Sequence, residues 1–313
     1  MFTFFMRPPK KGWPADLRTM SPDKQPEYFV TGVTAWVLQT YLRLKKAGFD
    51  VQLSVGEPIP PGVAITHSDF FGRMCAHLTD RARTATVSIR ADRSPCTQAD
   101  FEIVQNETQV LSERERFVHH WPQPGLKLRP ADRGSRVEVA SAKAFAVHPA
   151  FTGPAFMEAL QQAGITWDFK PLSAVRGTRP PYTVARDDAW ADYSGVDLII
   201  ALRDGERSYD HKPPTKLVNA WLAGTPAILG PESAYQALRQ SDLDYIEAVT
   251  PEACLEAARA LKSDPARYMA MIANGRRRAE AFSTDAICRN WIGVLGSIAG
   301  WVSARRSDSV GQP

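Results

Sequence analysis

The segment that most narrows the fold lies between Val196 and Gly230. Val196-Asp-Leu-Ile-Ile-Ala-Leu202 has the length and apolar content of a buried strand. A polar loop, Arg203 to His211, follows it. Pro213 and Pro214 suit the first positions of a helix, where a missing N–H costs nothing. Leu217, Val218, Trp221 and Leu222 then recur at helical spacing. Gly224 stands where a helix is expected to end, and Pro226 forbids continuation. Ala227-Ile-Leu229 opens a new strand. Strand, loop, helix, glycine and strand make one unit of an α/β sheet. The loop leaves the C-terminal end of a strand, where open α/β sheets bind ligands. The helix start carries Lys212, Thr215 and Lys216, which suits an anionic group such as a diphosphate.

This run resembles the donor-binding segment of GT-B glycosyltransferases, nucleotide-sugar enzymes with two Rossmann-like domains. Their second domain commonly carries a helix ending in Ala-x-Gly-x-Pro-Val/Ile, as in Leu222-Ala-Gly-Thr-Pro-Ala-Ile228. The donor half is similar to that of glycosyltransferase families 1 and 4. Many retaining members place two glutamates at the spacing of His211 and Asn219, and both positions here depart from glutamate. The resemblance implies an α/β fold of two Rossmann-like domains facing a cleft. It implies sugar transfer from a nucleotide sugar to an acceptor hydroxyl, in surface-glycan or glycoconjugate synthesis, and leaves the stereochemistry open. A nucleotide-sugar epimerase or hydrolase, and a catalytically silent binding or scaffold protein, are the alternatives on the same fold.

At 313 residues the chain has length for two cores. The stretch His119 to Pro130 is too rich in proline for a long helix or a central strand, and the alternation of elements restarts after it. The expected division is an acceptor-side Rossmann-like domain over 1–135 and a nucleotide-sugar-binding one over 136–285. Residues 286–313 form a helix and tail, the helix packing back on the first domain as GT-B enzymes do. A net charge of +4, with no Lys/Arg block interleaved with aromatics, suits an anionic nucleotide or lipid surface and argues against nucleic acid. No apolar run approaches the roughly 18 residues of a membrane span. Phe2 to Met6 lacks the basic lead and the length of a signal peptide. A cytoplasmic protein, or one peripheral at the inner face of a membrane, is expected. Cys75, Cys96, Cys254 and Cys288 show no metal or redox spacing.

In the first half, strands are expected at Phe2–Met6, Phe49–Ser54, Val63–Thr66, Thr86–Arg90 and Phe101–Gln105. Helices are expected at Val30–Lys46 and Phe71–Arg81. A loop rich in Pro and Lys, through Pro26, is either functional or partly disordered. In the second half, strands are expected at Lys143–Val147, Thr166–Lys170 and Tyr245–Ala248. Helices are expected from Thr152 or Gly153 to Ala163 and at Asp188–Tyr193, Ser233–Gln240, Pro251–Lys262, Pro265–Phe282 and Ile287–Val302.

Arg203 is the candidate for a forked contact to phosphate, against the reading of a solvated loop. Lys212 and Lys216 are the candidate diphosphate partners, against ordinary surface lysines. Thr215 and Asn219 share a helix face, from which both reach a ribose, base or sugar hydroxyl. These cations replace a catalytic metal electrostatically, so neither metal nor cofactor is expected. Gly32 precedes the first helix, at a turn where GT-B enzymes bring glycine backbone near the cleft. His67 and Asp69 follow a first-domain strand, and either suits the base that takes the acceptor proton. Asp69 as a helix cap is the competing reading. Asp92 is a third candidate, or else a partner of Arg90 or Arg93. Asp242 and Asp244 have a metal-binding spacing but read as a turn. Arg276 to Arg278 read as a solvated face, with contact to anionic lipid as the alternative.

Overall fold

The computed structural model describes residues 1–9, 12–143, 147–169, 191–203 and 209–310, with 303–310 described by backbone alone. Two parallel sheets organise them. The first comprises β1 (Phe2–Phe5), β2 (Val51–Ser54), β3 (Val63–His67), β4 (Ala85–Ile89), β5 (Phe101–Val104) and β6 (Glu115–Phe117), in the order β2-β1-β3-β4-β5-β6. The second comprises β7 (Val139–Ser141), β8 (Thr166–Trp167), β9 (Leu198–Ala201), β10 (Ala227–Leu229) and β11 (Ile246–Glu247), in the order β11-β10-β9-β7-β8. In each sheet the earliest strand lies inside the order and the chain runs off both sides of it. That reversal opens a crevice at the C-terminal strand ends.

The helices are α1 (Gln39–Lys46), α2 (Phe71–Cys75), α3 (Pro154–Gln162), α4 (Thr215–Ala223), α5 (Ser233–Leu238), α6 (Pro251–Ser263), α7 (Pro265–Ala279) and α8 (Thr284–Val310). Burial explains the strand pattern. Along β9, Leu198 and Ile200 enter one core while Ile199 and Ala201 enter another, because successive side chains point to opposite faces. Both faces of the second sheet are therefore covered, and the strand reads as a continuous apolar run. Each of the leucine and isoleucine side chains contributes about 1.5–3 kcal/mol on burial. α4 ends at Gly224, whose φ of +71 is left-handed, and the Thr225 N–H closes onto the Ala220 carbonyl at 2.9 Å. A Cβ at Gly224 would meet nothing closer than 3.6 Å, so backbone conformation rather than space selects glycine there.

α8 leaves the second half and buries Ile287, Cys288, Trp291, Leu295 and Ile298 in the core of the first sheet. These residues recur at helical spacing, and Trp291 meets Phe4 edge-on with centroids 6.4 Å apart. Among the described residues no helix is long and apolar enough to cross a membrane.

Several expected elements shift. The strand expected at Lys143–Val147 lies earlier, as β7. Its centre is the buried pair Ala140 and Ser141, too small to give an apolar signal. Lys143 has a φ of +43, and residues 144–146 lie outside the described residues. β6 was not anticipated, because Glu115 and Arg116 disguise a strand that extends the sheet beyond β5. The helix expected at Phe71–Arg81 stops at Cys75. The Ile59 N–H binds the His77 carbonyl and the Thr79 N–H binds that of Ile59, drawing the chain into a bridge. Of the helix expected at Asp188–Tyr193, residues 188–190 lie outside the described residues; Asp192 forms an isolated bridge with Lys127. α8 runs past the Val302 limit expected for it. The early loop packs by short 3₁₀ turns, with Leu17, Met20 and Phe29 in the core.

Candidate functional site

A cavity of about 460 Å³ opens between the C-terminal edges of the two sheets. From the second half, α4 brings its N-terminus to the wall. Pro214 precedes it and no side chain caps its first turn, so backbone N–H groups face the space. Lys212, Thr215, Lys216 and Asn219 line the cavity with them, and Arg203, just after β9, completes that side. The Arg203 Nε donates to Glu232 Oε1 at 2.9 Å, and its guanidinium lies 4.4 Å from the Tyr209 ring centroid. Residues 204–208 of the polar loop that begins at Arg203 lie outside the described residues. Lys216 has no hydrogen-bond or ion-pair partner among the described residues. Burial first, and then the charge of Arg203, push its ammonium down to about 7.

Asn219 is buried. Its Nδ2 donates to Gln123 Oε1 across the cleft at 2.6 Å, while its Oδ1 has no partner. That oxygen is an acceptor waiting for a hydroxyl or N–H. His120 and Trp121 line the opposite wall with Trp36. The segment beginning that helix is π-helical over Thr34–Leu38, a local widening that often accompanies functional sites.

The acceptor-side candidates separate. Asp92 lines the cavity, three residues beyond β4. Ala91 before it has a φ of +51, an unfavourable conformation for a residue with a Cβ, so the turn that presents Asp92 is imposed by its surroundings. Asp92 Oδ1 accepts from Arg93 Nη1 at 2.9 Å, and Oδ2 accepts from Lys212 Nζ at 2.5 Å. Asp69 lies outside the lining and forms a fork with Arg93 at 2.9 and 3.0 Å. It does not cap α2, whose first turn has no side-chain cap. His67 is wholly buried behind Gly32. Its Nδ1 accepts the Asp69 N–H at 3.1 Å, its Nε2 has no partner, and burial pushes it down to about 4. A Cβ on Gly32 would stand 2.6 Å from that Nε2. Gly32 lines the cavity and owes its lack of a side chain to the imidazole behind it.

Lys143, Trp36, Gln123 and Glu232 were not assigned to the site from sequence, and His120, beside the proline-rich stretch, reads there as structural in preference to facing the cleft. Trp36 sat on a stripe read as core. Lys143 sat in a segment read as strand. Glu232, far away in the chain, holds Arg203 and sets its charge against the shift at Lys216. Asp242 and Asp244 stand apart from the cleft. Asp244 is buried and accepts the Gln240 and Ser241 N–H groups and Asn274 Nδ2. Arg278 is not solvated as expected: it lies 3.3 Å from Asp244 and over the Trp221 ring, because a buried carboxylate requires a counter-charge. Among the described residues no three His, Cys, Asp or Glu side chains cluster to hold a metal.

The sequence matches no protein-family model and no curated protein. Solved structures do match. HepE of Anabaena in complex with UDP aligns over 95% of this chain and 99% of its own, with a TM-score of 0.53 and 12% identity. The two-domain GT-B fold is present. The pneumococcal O-GlcNAc transferase GtfA, in complex with UDP and GlcNAc, shares it at a TM-score of 0.51 and 15% identity, over 75% of this chain and 56% of that one. TarM does so at 0.52 and 9%, over 74% and 54%. The chain thus spans little more than half the length of TarM or of GtfA. At these identities the likeness carries the GT-B fold alone.

Proposed function

We propose that the protein is a metal-independent glycosyltransferase that moves a sugar from a nucleotide-activated donor to an acceptor hydroxyl. One observation carries the reading: Arg203, Lys212 and Lys216 converge with the first turn of α4 on one cavity wall, opposite the carboxylate of Asp92. A cavity of about 460 Å³ is of the size of small-molecule sites. The UDP complexes of HepE and GtfA support a nucleotide sugar as the ligand class.

In this reading the three cations and the α4 N–H groups meet the diphosphate. Thr215 and the free Oδ1 of Asn219 meet donor hydroxyls, and Gly32 brings backbone to the donor. Asp92 takes the acceptor proton. The acceptor oxygen bonds the anomeric carbon as the bond from that carbon to the diphosphate breaks. The electron pair leaves on the diphosphate, where the cations stabilise it. Asp69 supports Asp92 from behind through Arg93, and His67 backs the turn at Gly32. The acceptor is a sugar or glycoconjugate, handled in the cytoplasm or at the inner face of a membrane. The donor half belongs in this reading with those of families 1 and 4.

A titration series of nucleoside diphosphates, followed by donor turnover against a panel of sugar acceptors, tests the proposal. Asp92→Asn is expected to lower transfer by about 100-fold or more, and Asp69→Asn by less. The reverse order would move the base to Asp69. Donor turnover without any acceptor would mean a hydrolase or epimerase, and binding without turnover a silent scaffold.

A further inference from the structure

Lys212, which the proposed function gives to the diphosphate, already holds an anion. Its Nζ stands 2.5 Å from Asp92 Oδ2, on the opposite side of the cleft. The other oxygen of Asp92 is held by Arg93 at 2.9 Å, and Arg93 is itself forked onto Asp69. One charge-alternating chain, Asp69–Arg93–Asp92–Lys212, therefore crosses from the first domain to the foot of α4. The backbone enforces its middle, because Ala91 is held at a φ of +51. One helical turn further on, Lys216 makes no ion pair among the described residues. Two lysines flank the same helix start, and one carboxylate is shared between the one that is paired and Arg93.

We propose that the Asp92 carboxylate stands in for a donor phosphate. It occupies Lys212 until a diphosphate displaces it, and only then is it released, still anchored by Arg93, to serve the acceptor. This rests on the reading that Lys212 binds the diphosphate. A carboxylate accepting two charge-assisted hydrogen bonds is a poor base. Burial raises the Asp92 carboxyl, but the hydrogen bond and charge of Lys212, with the charge of Arg93, outweigh it and hold the group below its ordinary value. A diphosphate carries more charge than a carboxylate and reaches Lys212, Lys216 and the α4 N–H groups together, so it wins the exchange. The donor thereby switches on the base that the acceptor needs, and the ligand-free cleft stays bridged across its two walls.

The test is a double-mutant cycle on the full chain, with inorganic pyrophosphate and UDP as probes, read by calorimetry. Removing a negative charge opposite Lys212 leaves the lysine free, so Asp92→Asn is expected to bind both probes roughly fivefold tighter than wild type, or more. Asp92→Ala should do the same if the amide disturbs Arg93. In a Lys212→Ala background the Asp92 substitution is expected to change affinity less than about twofold, because the competition is gone. Thermal melts without ligand check that each variant is folded. Unchanged or weakened binding by both Asp92 variants overturns the latch. An equal gain in the Lys212→Ala background also overturns it, since that reports only the loss of a repelling charge. If wild type and all variants bind neither probe, the donor-site reading fails and the latch with it. Binding by wild type without a gain on substitution sinks the latch alone.

Discussion

Donor binding should draw a proton into the protein, and Lys216 is the reason. Burial and the neighbouring Arg203 push its ammonium down to about 7, with Lys212 adding to the effect and Glu232 opposing it. A diphosphate against this group removes the cause and returns the lysine toward its ordinary value of 10.5. Above pH 7 the free protein therefore carries less charge on Lys216 than the complex does, so binding takes up protons and affinity falls as pH rises. A group of pKa about 7 is about one-tenth protonated at pH 8, so uptake there should be about 0.9 proton, against about 0.5 at pH 7 and about 0.1 at pH 6. Above pH 7 affinity should fall about tenfold per unit until the pKa of the complex is reached. His67 and His119, both pushed down to about 4 by burial, stay neutral throughout and do not mask the signal. The assay is calorimetric titration of a nucleotide sugar, whose diphosphate has no proton to exchange in this range, in two buffers of different ionisation enthalpy. Lys216→Arg stays charged and should bind without buffer dependence. Lys216→Ala should lose the dependence and about 1–3 kcal/mol of binding. Uptake near zero by wild type at pH 8 would show that Lys216 is fully charged before binding or does not meet the ligand.

Gly32→Ala puts a Cβ 2.6 Å from His67 Nε2 and should cost about 1–3 kcal/mol in urea unfolding, recovered in part by a second substitution, His67→Ala. A wild-type midpoint for the single variant would contradict that close approach. Trp291→Ala should cost about 3–5 kcal/mol, measured by the same unfolding, because the indole is fully buried against the first sheet. Transfer activity should survive EDTA, since lysine and arginine are assigned the leaving charge; a loss reversed by added metal would overturn that assignment.

The second half was legible where its signals are local. Apolar β9, the prolines at 213 and 214, the stripe of α4 and Gly224 each act within a few residues, and together they locate Arg203, Lys212, Thr215, Lys216 and Asn219. What stayed hidden depends on partners distant in the chain. β7 is recognisable only from Leu198 and Ile199 beside it, because Ala140 and Ser141 carry no pattern of their own. Gln123 meets Asn219 across 96 positions. The lysine at 216 looks like any surface lysine until burial lowers its basicity. His67 reads as a base near neutrality until the fold encloses it. Arg93 reads from sequence only as a partner for Asp92, and its simultaneous hold on Asp69 emerges once β3 and β4 lie side by side.

α8 also bears on the order in which the molecule becomes itself during synthesis. Phe4, on the opening strand, rests against Trp291, which leaves the ribosome only after the whole second sheet has been made. The earlier domain must wait with one wall of its core missing, whereas the stretch from β7 through α7 carries both strands and covering helices of the second sheet and can close without α8. Maturation should then run against the direction of translation, the later domain settling first and handing back the helix that completes its predecessor. A premature stop before residue 284 would injure most the sheet that lies farthest from it along the chain.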